Sequence, residues 1–216
     1  GADFTETNYT DIAFSDDRQY QCKLRLGADV KFVGWFTPQE TVSINAYKYG
    51  QASLVFTDGL ASLKGINYQL PDEYNYEVGI FRSILINCLN ETGLELDTYY
   101  SNGLYYGADT DLIIDRIAIE TVALREREGT QALSCYKVLE MLMRSIGCCL
   151  FQKDGKWRVE AFADKSQTVE NYATILYSAP NATLSLTGGT FATQALITAD
   201  RVATDRSMMV NLYRPK

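Results

Sequence analysis

Carboxylates, tyrosines and thiols are the side chains with chemical potential here, because the sequence contains no histidine. Without imidazole there is no Ser-His-Asp or Cys-His nucleophile and no histidine-ligated zinc or iron. There is also no side chain whose ordinary pKa puts a general base near neutrality. The densest acidic stretch holds Asp109, Asp111 and Asp115, with Asp97 nearby. A calcium loop starting at Asp109 would end on Glu120, which suits the ion, but the sharp turn that needs glycine holds Ile114 instead. Solvation and capping therefore explain these aspartates better than a cation does. Asp16-Asp17 reads as solvated loop, and Asp58 as a cap for the amides of a following helical turn. The five cysteines (Cys22, Cys88, Cys135, Cys148, Cys149) contain no CxxC pair and no metal-ligand spacing. They read as reduced, buried small hydrophobes, which suits synthesis in the cytoplasm. P-loop, GxGxxG, GxSxG and EF-hand patterns are absent. No catalytic residue, cofactor or metal is assigned, and the expectation is a protein that is not an enzyme.

Tyrosine is the stronger lead. The chain has 15, and they bunch at Tyr68, Tyr74, Tyr76, Tyr99, Tyr100, Tyr105 and Tyr106. Tyrosine combines a rigid apolar face with a polar tip, a combination suited to recognition surfaces. Tyr99, Tyr100, Tyr105 and Tyr106 flank Ser-Asn-Gly, a turn-forming composition. Adjacent residues of an extended segment project to opposite faces, so at least one of each pair is expected to face outward. The four are candidates for an assembly surface, with a sugar-stacking platform or the covering of strand edges as the other readings. Three matches to the glycosylation sequon, at Asn8, Asn90 and Asn181, are too loose to assign a sugar.

The elements that would position these residues follow from length and patterning. A chain of 216 residues, 46% of them hydrophobic, accommodates one large or two small domains and buries a core without a disulfide or metal. The net charge of −7 repels phosphate backbones, so no nucleic acid is expected on the bulk surface. No apolar run reaches the roughly 18 residues of a membrane span, and no membrane insertion is expected. The chain reads as a soluble globular protein or a soluble piece of a longer one. Residues 19–26 alternate strictly, with Tyr20, Cys22, Leu24 and Leu26 on one face, and residues 30–36 read as the returning strand. Further short strands are expected at 42–46 and 52–57. Asp58 then opens a capped turn in which Leu60 and Leu63 share a face and Gly65 takes the left-handed position.

Two amphipathic helices follow. Val78, Phe81, Ile84, Leu85, Cys88 and Leu89 mark the first, stopped by Gly93. Ser134 caps the second, whose stripe is Val138, Leu139, Leu142, Met143 and Ile146, and Gly147 ends it. Residues 116–124 read equally as strand or helix. Asp154-Gly155, between strand-like runs 148–153 and 156–162, marks a type I′ hairpin that pairs Leu150 with Val159 and Gln152 with Trp157. Val138, Leu142, Ile146, Leu150, Trp157 and Val159 are expected to share one core. The fold class is α+β: small antiparallel β-domains with two amphipathic helices and a helix–β-hairpin unit. Three segments are expected: an N-terminal β domain (1–70), a helix-containing α+β domain ending in the hairpin (71–165), and additional strands (166–216) packing back on either.

Two groups of segments carry a resemblance. Ser15-Asp16-Asp17-Arg18-Gln19-Tyr20, then Gly34-Trp35-Phe36, then Thr57-Asp58-Gly59-Leu60-Ala61-Ser62-Leu63-Lys64 resemble the start of tail proteins encoded by prophages of gut bacteria. Leu133-Ser134-Cys135-Tyr136-Lys137-Val138-Leu139-Glu140, running into Phe151-Gln152-Lys153-Asp154-Gly155-Lys156-Trp157, is similar to a later part of the same family. The matched positions include Asp58, Gly59, Leu60, Ser134, Cys135, Asp154, Gly155 and Trp157, and the likeness spans about residues 15–162. It implies a structural component of a phage tail or tail-like injection apparatus, of tail-tip or baseplate-hub type, made in the cytoplasm and placed in the virion tail. Its partners would be other tail proteins and copies of itself. Because family members are generally longer, it also implies an N-terminal piece of a longer protein. The tyrosine-rich middle and everything after Phe162 depart from the family. The aromatic clusters support the other reading, a cell-surface or periplasmic glycan-binding module.

Overall fold

A computed structural model describes residues 15–38, 54–70, 78–101, 113–126, 131–162, 170–175, 177–178, 187–189 and 208–213. The fold is α+β, and the chain divides into two compact units, one comprising Gly1–Gly59 with Arg206–Lys216 and the other Leu60–Asp205.

In the first unit, β1 (Gln21–Leu26) and β2 (Asp29–Phe36) form an antiparallel hairpin. Gly27 turns it with φ +64, a conformation that a side chain would strain. A short β3 (Phe56–Thr57) adds to β2. The four-stranded sheet is completed from far along the chain by β11 (Met208–Tyr213), which pairs with β1 over six residues. Strand β1 is therefore interior to its sheet, and its face does not bury evenly. Cys22 is buried, while Tyr20, Leu24 and Leu26 are half-buried. Among the described residues Val33, Trp35 and Phe36 of β2 are buried with it. The strand expected at 42–46 lies outside the described residues, and of 52–57 only Phe56–Thr57 pairs as strand among them.

The second unit begins with a 3-10 turn, Ala61–Gly65, which buries Leu63 completely. Its left-handed residue is Gly59 (φ +79) at the entry, not Gly65 at the exit, because the chain leaves the turn extended through Ile66. Then come β4 (Val78–Ile80) and α1 (Phe81–Asn90). Val78 is thus strand and not helix: its backbone pairs with β6 (Ala118–Glu120) before the helix starts. Helix α1 buries Phe81, Ile84, Leu85, Cys88 and Leu89. After β5 (Thr98–Ser101), the ambiguous 116–124 stretch resolves into three pieces in succession. These are the end of a one-turn helix α2 (Ile113–Arg116), the strand β6, and a 3-10 turn Thr121–Leu124.

Helix α3 (Cys135–Ser145) is capped by the Ser134 hydroxyl, which accepts from the Lys137 amide at 3.4 Å, and Gly147 (φ +64) turns the chain out of it. The hairpin β7 (Cys148–Lys153) and β8 (Lys156–Ala161) has the expected register, Leu150 opposite Val159 and Gln152 opposite Trp157. Asp154 and Gly155 both have positive φ, +52 and +68, as a type I′ turn demands. Of the six residues expected in one core, Val138, Leu142, Trp157 and Val159 are buried, and Ile146 and Leu150 are half-buried at its margin. Strands β9 (Glu170–Ile175) and β10 (Thr187–Gly189) complete a five-stranded sheet in the order β10-β9-β5-β8-β7, in which only β5–β8 is parallel.

The break between units at Gly59 precedes the expected boundary at 70 because residues 61–68 pack on α3. Residues 166–216 do not travel together: β9 and β10 join the second unit's sheet, and β11 joins the first unit's.

Candidate functional site

The structure brings together two of the motif segments, about 70 positions apart in the chain, inside the second unit. Ile66 O accepts from the Cys135 amide at 2.8 Å, and the Tyr68 amide donates to Leu133 O at 2.9 Å. Asn67 and Ser134 form an antiparallel bridge, and the Lys64 ammonium stands 4.9 Å above the Tyr136 ring. Gly59 supplies the left-handed entry, Leu60 stands at the N-cap position of the 3-10 turn, and Ser134 caps α3. Asp154 and Gly155 make the hairpin turn, and Trp157 is buried with its amide donating to Asp97 O at 2.9 Å. These positions build a scaffold. Trp157 is buried, and Gly59, Ser134, Asp154 and Gly155 are accounted for by turns and a cap.

Tyr99 and Tyr100 require a correction. Both are core residues, 2% and 0% exposed, where at least one was expected to face solvent. The two do alternate sides, but β5 is flanked by β8 and β9 and both of its faces are covered, so alternation exposes neither. Tyr105 and Tyr106 lie outside the described residues. Tyr99 receives the Arg158 guanidinium 4.6 Å from its ring centre, a cation–π contact in a site with little water. Arg158, itself buried, also reaches Asp154 at 3.3 Å and Glu160 at 3.6 Å.

On the other side, the Tyr100 hydroxyl sits near the Arg82–Asp115 ion pair, whose Nε–Oδ1 distance is 2.9 Å. Burial pushes the Tyr100 pKa far up; the Arg82 charge opposes that shift and the Asp115 carboxylate adds to it. The Tyr100 hydroxyl and Arg82 Nη1 are buried with no hydrogen-bond partner among the described residues. No sequence signal marks this cluster, because Arg82 falls within an apolar helix and Asp115 reads as a loop acid. Of the acidic stretch weighed as a calcium loop, Asp109 and Asp111 lie outside the described residues, and Asp115 and Asp97 have separate partners. Asp115 binds Arg82, while Asp97 accepts from the Tyr177 amide at 3.1 Å and meets Lys156 at 3.8 Å. Among the described residues no group of three His, Cys, Asp or Glu side chains is placed to hold a metal.

A second cluster is made of thiols. Cys88, on the buried face of α1, and Cys135, the first residue of α3, lie near enough to influence each other's ionisation. The interaction between the two side chains, together with burial, raises the Cys88 pKa, and the same interaction lowers that of Cys135. Tyr68 lies beside both, bonded to the Asn87 side chain, with its own pKa raised by burial. All five cysteines are free; Cys149 is half-buried and the others are buried, Cys22 so thoroughly that its pKa is pushed up to about 11. The reading of the cysteines as buried hydrophobes foresees their location but not the Cys88–Cys135 proximity, since the two stand 47 positions apart.

The surface offers a different feature. In the β4–β6 ribbon Val78 lies opposite Glu120 and Ile80 opposite Ala118, so these four share a face, and all four are exposed. Val78 is 59% and Ile80 49% exposed, and Val122, just beyond β6, is 49% exposed. Beneath the ribbon, Gly79 lets the backbone approach Ile84 of α1: a Cβ there would stand 2.9 Å from the Ile84 Cδ1. The ribbon is thus seated on α1 by its inner face and presents branched apolar side chains outward.

The chain matches no protein family, no curated protein and no solved structure.

Proposed function

We propose that this chain is a structural subunit of a phage tail or tail-like injection apparatus, of tail-tip or baseplate-hub type, acting by protein–protein assembly and without catalysis. The observation that carries the reading is the outward face of the β4–β6 ribbon, where Val78 and Ile80 stand exposed beside Ala118 and Glu120, with Val122 exposed just beyond β6. Branched apolar side chains exposed on the outer face of the ribbon gain little from water and more from packing against another surface. A neighbouring subunit would supply that packing. The likeness of residues 15–162 to prophage tail proteins supports the same reading, as does the packing of the Ala61–Gly65 turn on α3, where Lys64 of one such segment stands over Tyr136 of another. Tyr99 and Tyr100, two of the four tyrosines expected to form an assembly surface, are core, so they support neither that surface nor a sugar-stacking platform.

The test is to purify tail particles from a producing strain and locate this chain by mass spectrometry and immunogold electron microscopy. The chain is expected at the tail tip, and Ile80→Asp is expected to abolish its incorporation while leaving its melting temperature unchanged. Its absence from tail particles, joined to specific binding on a glycan array, would overturn the assignment in favour of the glycan-binding module.

A further inference from the structure

The outward face of the β4–β6 ribbon carries charge as well as apolar side chains, and the charges are ordered. Exposure alternates along the chain from Arg116 to Glu120: Arg116, Ala118 and Glu120 are exposed, and Ile117 and Ile119 between them are half-buried. The Phe81 amide donates to Ile117 O at 3.0 Å, which carries the β4–β6 ladder one residue beyond the Ile80–Ala118 pair and keeps the chain extended up to Arg116. Along β6 the outer face therefore presents a cation, a small apolar residue and an anion, with Ile80 beside Ala118 and Val78 beside Glu120. Two residues of strand rise about 6.7 Å, so the two charges flank Ala118 at equal distances on opposite sides.

We propose that this face binds the same face of a second copy of the chain, across a two-fold axis that crosses the ribbon at the Ile80–Ala118 pair. The inference rests on the reading of the face as an assembly surface, and it names what covers that surface. In a two-fold contact residue i meets j wherever j meets i, so charges suit it when they are evenly placed about the axis and opposite in sign. Arg116 and Glu120 meet both conditions. The axis sets the two β6 strands antiparallel, so that Ile80 packs on its counterpart and Ala118 on its own. The Arg116 guanidinium of each copy then stands over the Glu120 carboxylate of the other, and the ion pair is made twice. Sheet faces pack about 10 Å apart, a gap that an arginine and a glutamate reaching from opposite sides can span. With the axis running along the strands instead, each Glu120 would press on Val78 of the other copy, and burying a carboxylate against an apolar side chain is costly. The charges thus select one arrangement of the two. A ribbon this short covers far less than the roughly 1,200–2,000 Å² of a stable complex. Each copy also carries a net charge of −7, so the pair is weak in free solution and strengthens where an assembly holds copies close together.

The experiment is sedimentation equilibrium of the full chain at concentrations up to about 1 mM, where a monomer–dimer equilibrium is expected. Glu120→Arg and Arg116→Glu each set like charges against each other twice, and each alone should weaken association about tenfold or more. A mixture of the two singly substituted chains should form a mixed dimer at least as tight as the original. Should Arg116→Glu fail to fold, Ala118→Cys decides, because only a residue on the axis meets its own counterpart. A short bismaleimide should join two Ala118→Cys chains, and should join Val122→Cys chains no more than the unsubstituted chain. A chain that stays monomeric over the whole range, a mixture no tighter than the single variants, or Ala118→Cys chains that do not join would overturn the proposal. Those results would leave the chain's place at the tail tip standing, with another tail protein on the ribbon. Pairing as described by a chain absent from tail particles would uphold the proposal and overturn the tail reading.

Discussion

Gly34 is the position where a single methyl group should do the most damage for its size. It lies in β2 with a backbone that any residue could adopt, so its need for glycine is spatial. A Cβ there would collide with the Thr57 carbonyl oxygen of β3 and stand 2.5 Å from the Phe32 ring. The ring can turn aside, but the carbonyl belongs to the β2–β3 ladder and cannot. Gly34→Ala thus has two routes. If β3 stays paired, the strain is that of overpacking, about 1–3 kcal/mol. If β3 detaches, the ladder at Trp35–Thr57 and Phe36–Phe56 is lost. With it go the Thr37 N–Val55 O bond of 3.0 Å and the Phe36–Phe56 ring contact at 5.7 Å. At about 1 kcal/mol per hydrogen bond and 0.5–1.5 for the ring pair, that route costs roughly 3 kcal/mol. The cheaper route sets the outcome, so the loss should be about 1–3 kcal/mol. It should be confined to the first unit, because none of these contacts involves the second. Hydrogen exchange by mass spectrometry reads it directly, with protection falling in peptides covering 30–37 and 54–59 and unchanged in those covering α3 and β7–β8. The control is Phe32→Leu in the Gly34→Ala background, which clears the ring but not the carbonyl and should not restore protection. Full rescue by that second change, or no loss in the single variant, would refute the reasoning.

Three further outcomes follow from burial. Leu142 is 1% exposed at the centre of α3, and Leu142→Ala should cost about 2–5 kcal/mol in urea unfolding, whereas a loss below about 1 would place it outside the core. Tyr100→Phe removes a buried hydroxyl that has no hydrogen-bond partner among the described residues, so stability should hold or rise by up to about 1–2 kcal/mol, and a comparable loss would reveal a bond to that hydroxyl. Cys22 has its folded pKa raised from 9.0 to about 11 by burial, so the unfolded chain gives up this proton first. The stability tied to the protonated thiol is whole below pH 9.0 and is lost as pH climbs towards about 11. Chemical denaturation of the first unit across that window should therefore be less pH-dependent in Cys22→Ala.

The helix–hairpin unit was the most legible part of the chain because its code is local. A serine cap, a five-residue apolar stripe, a terminal glycine and an Asp-Gly turn each act within a few residues, and together they determine α3, β7, β8 and their register. What escaped was set by neighbours distant in sequence. Tyr99-Tyr100 has the composition of a surface, yet β5 lies between β8 and β9, with Arg158 over the Tyr99 ring and Arg82 and Asp115 beside Tyr100, all distant in sequence or on other elements. Val78 follows the helical period of α1, yet its pairing with Glu120 makes it strand. Of the surface features, the ribbon face could not be read from sequence, since Val78, Ile80 and Val122 look like core residues until the fold leaves them outside. The thiol pair was hidden for the same reason, its members lying on helices that meet only in three dimensions.

The closing strand of the first unit sets an order of events during synthesis. Leu26 of β1 pairs with Met208 of β11, 182 positions later. At about 5–20 residues per second, β1 and β2 wait on the order of 10–40 s for that partner after they leave the ribosome. Throughout that interval β1 exposes an open edge, the template on which other chains pair. The helix–hairpin unit, whose contacts are all made by residue 162, can close well before then. Slowing elongation late in the message, downstream of the hairpin, should therefore raise the share of nascent chains captured by chaperones or lost to aggregates. A mature chain with β11 in place should be indifferent to how it was translated.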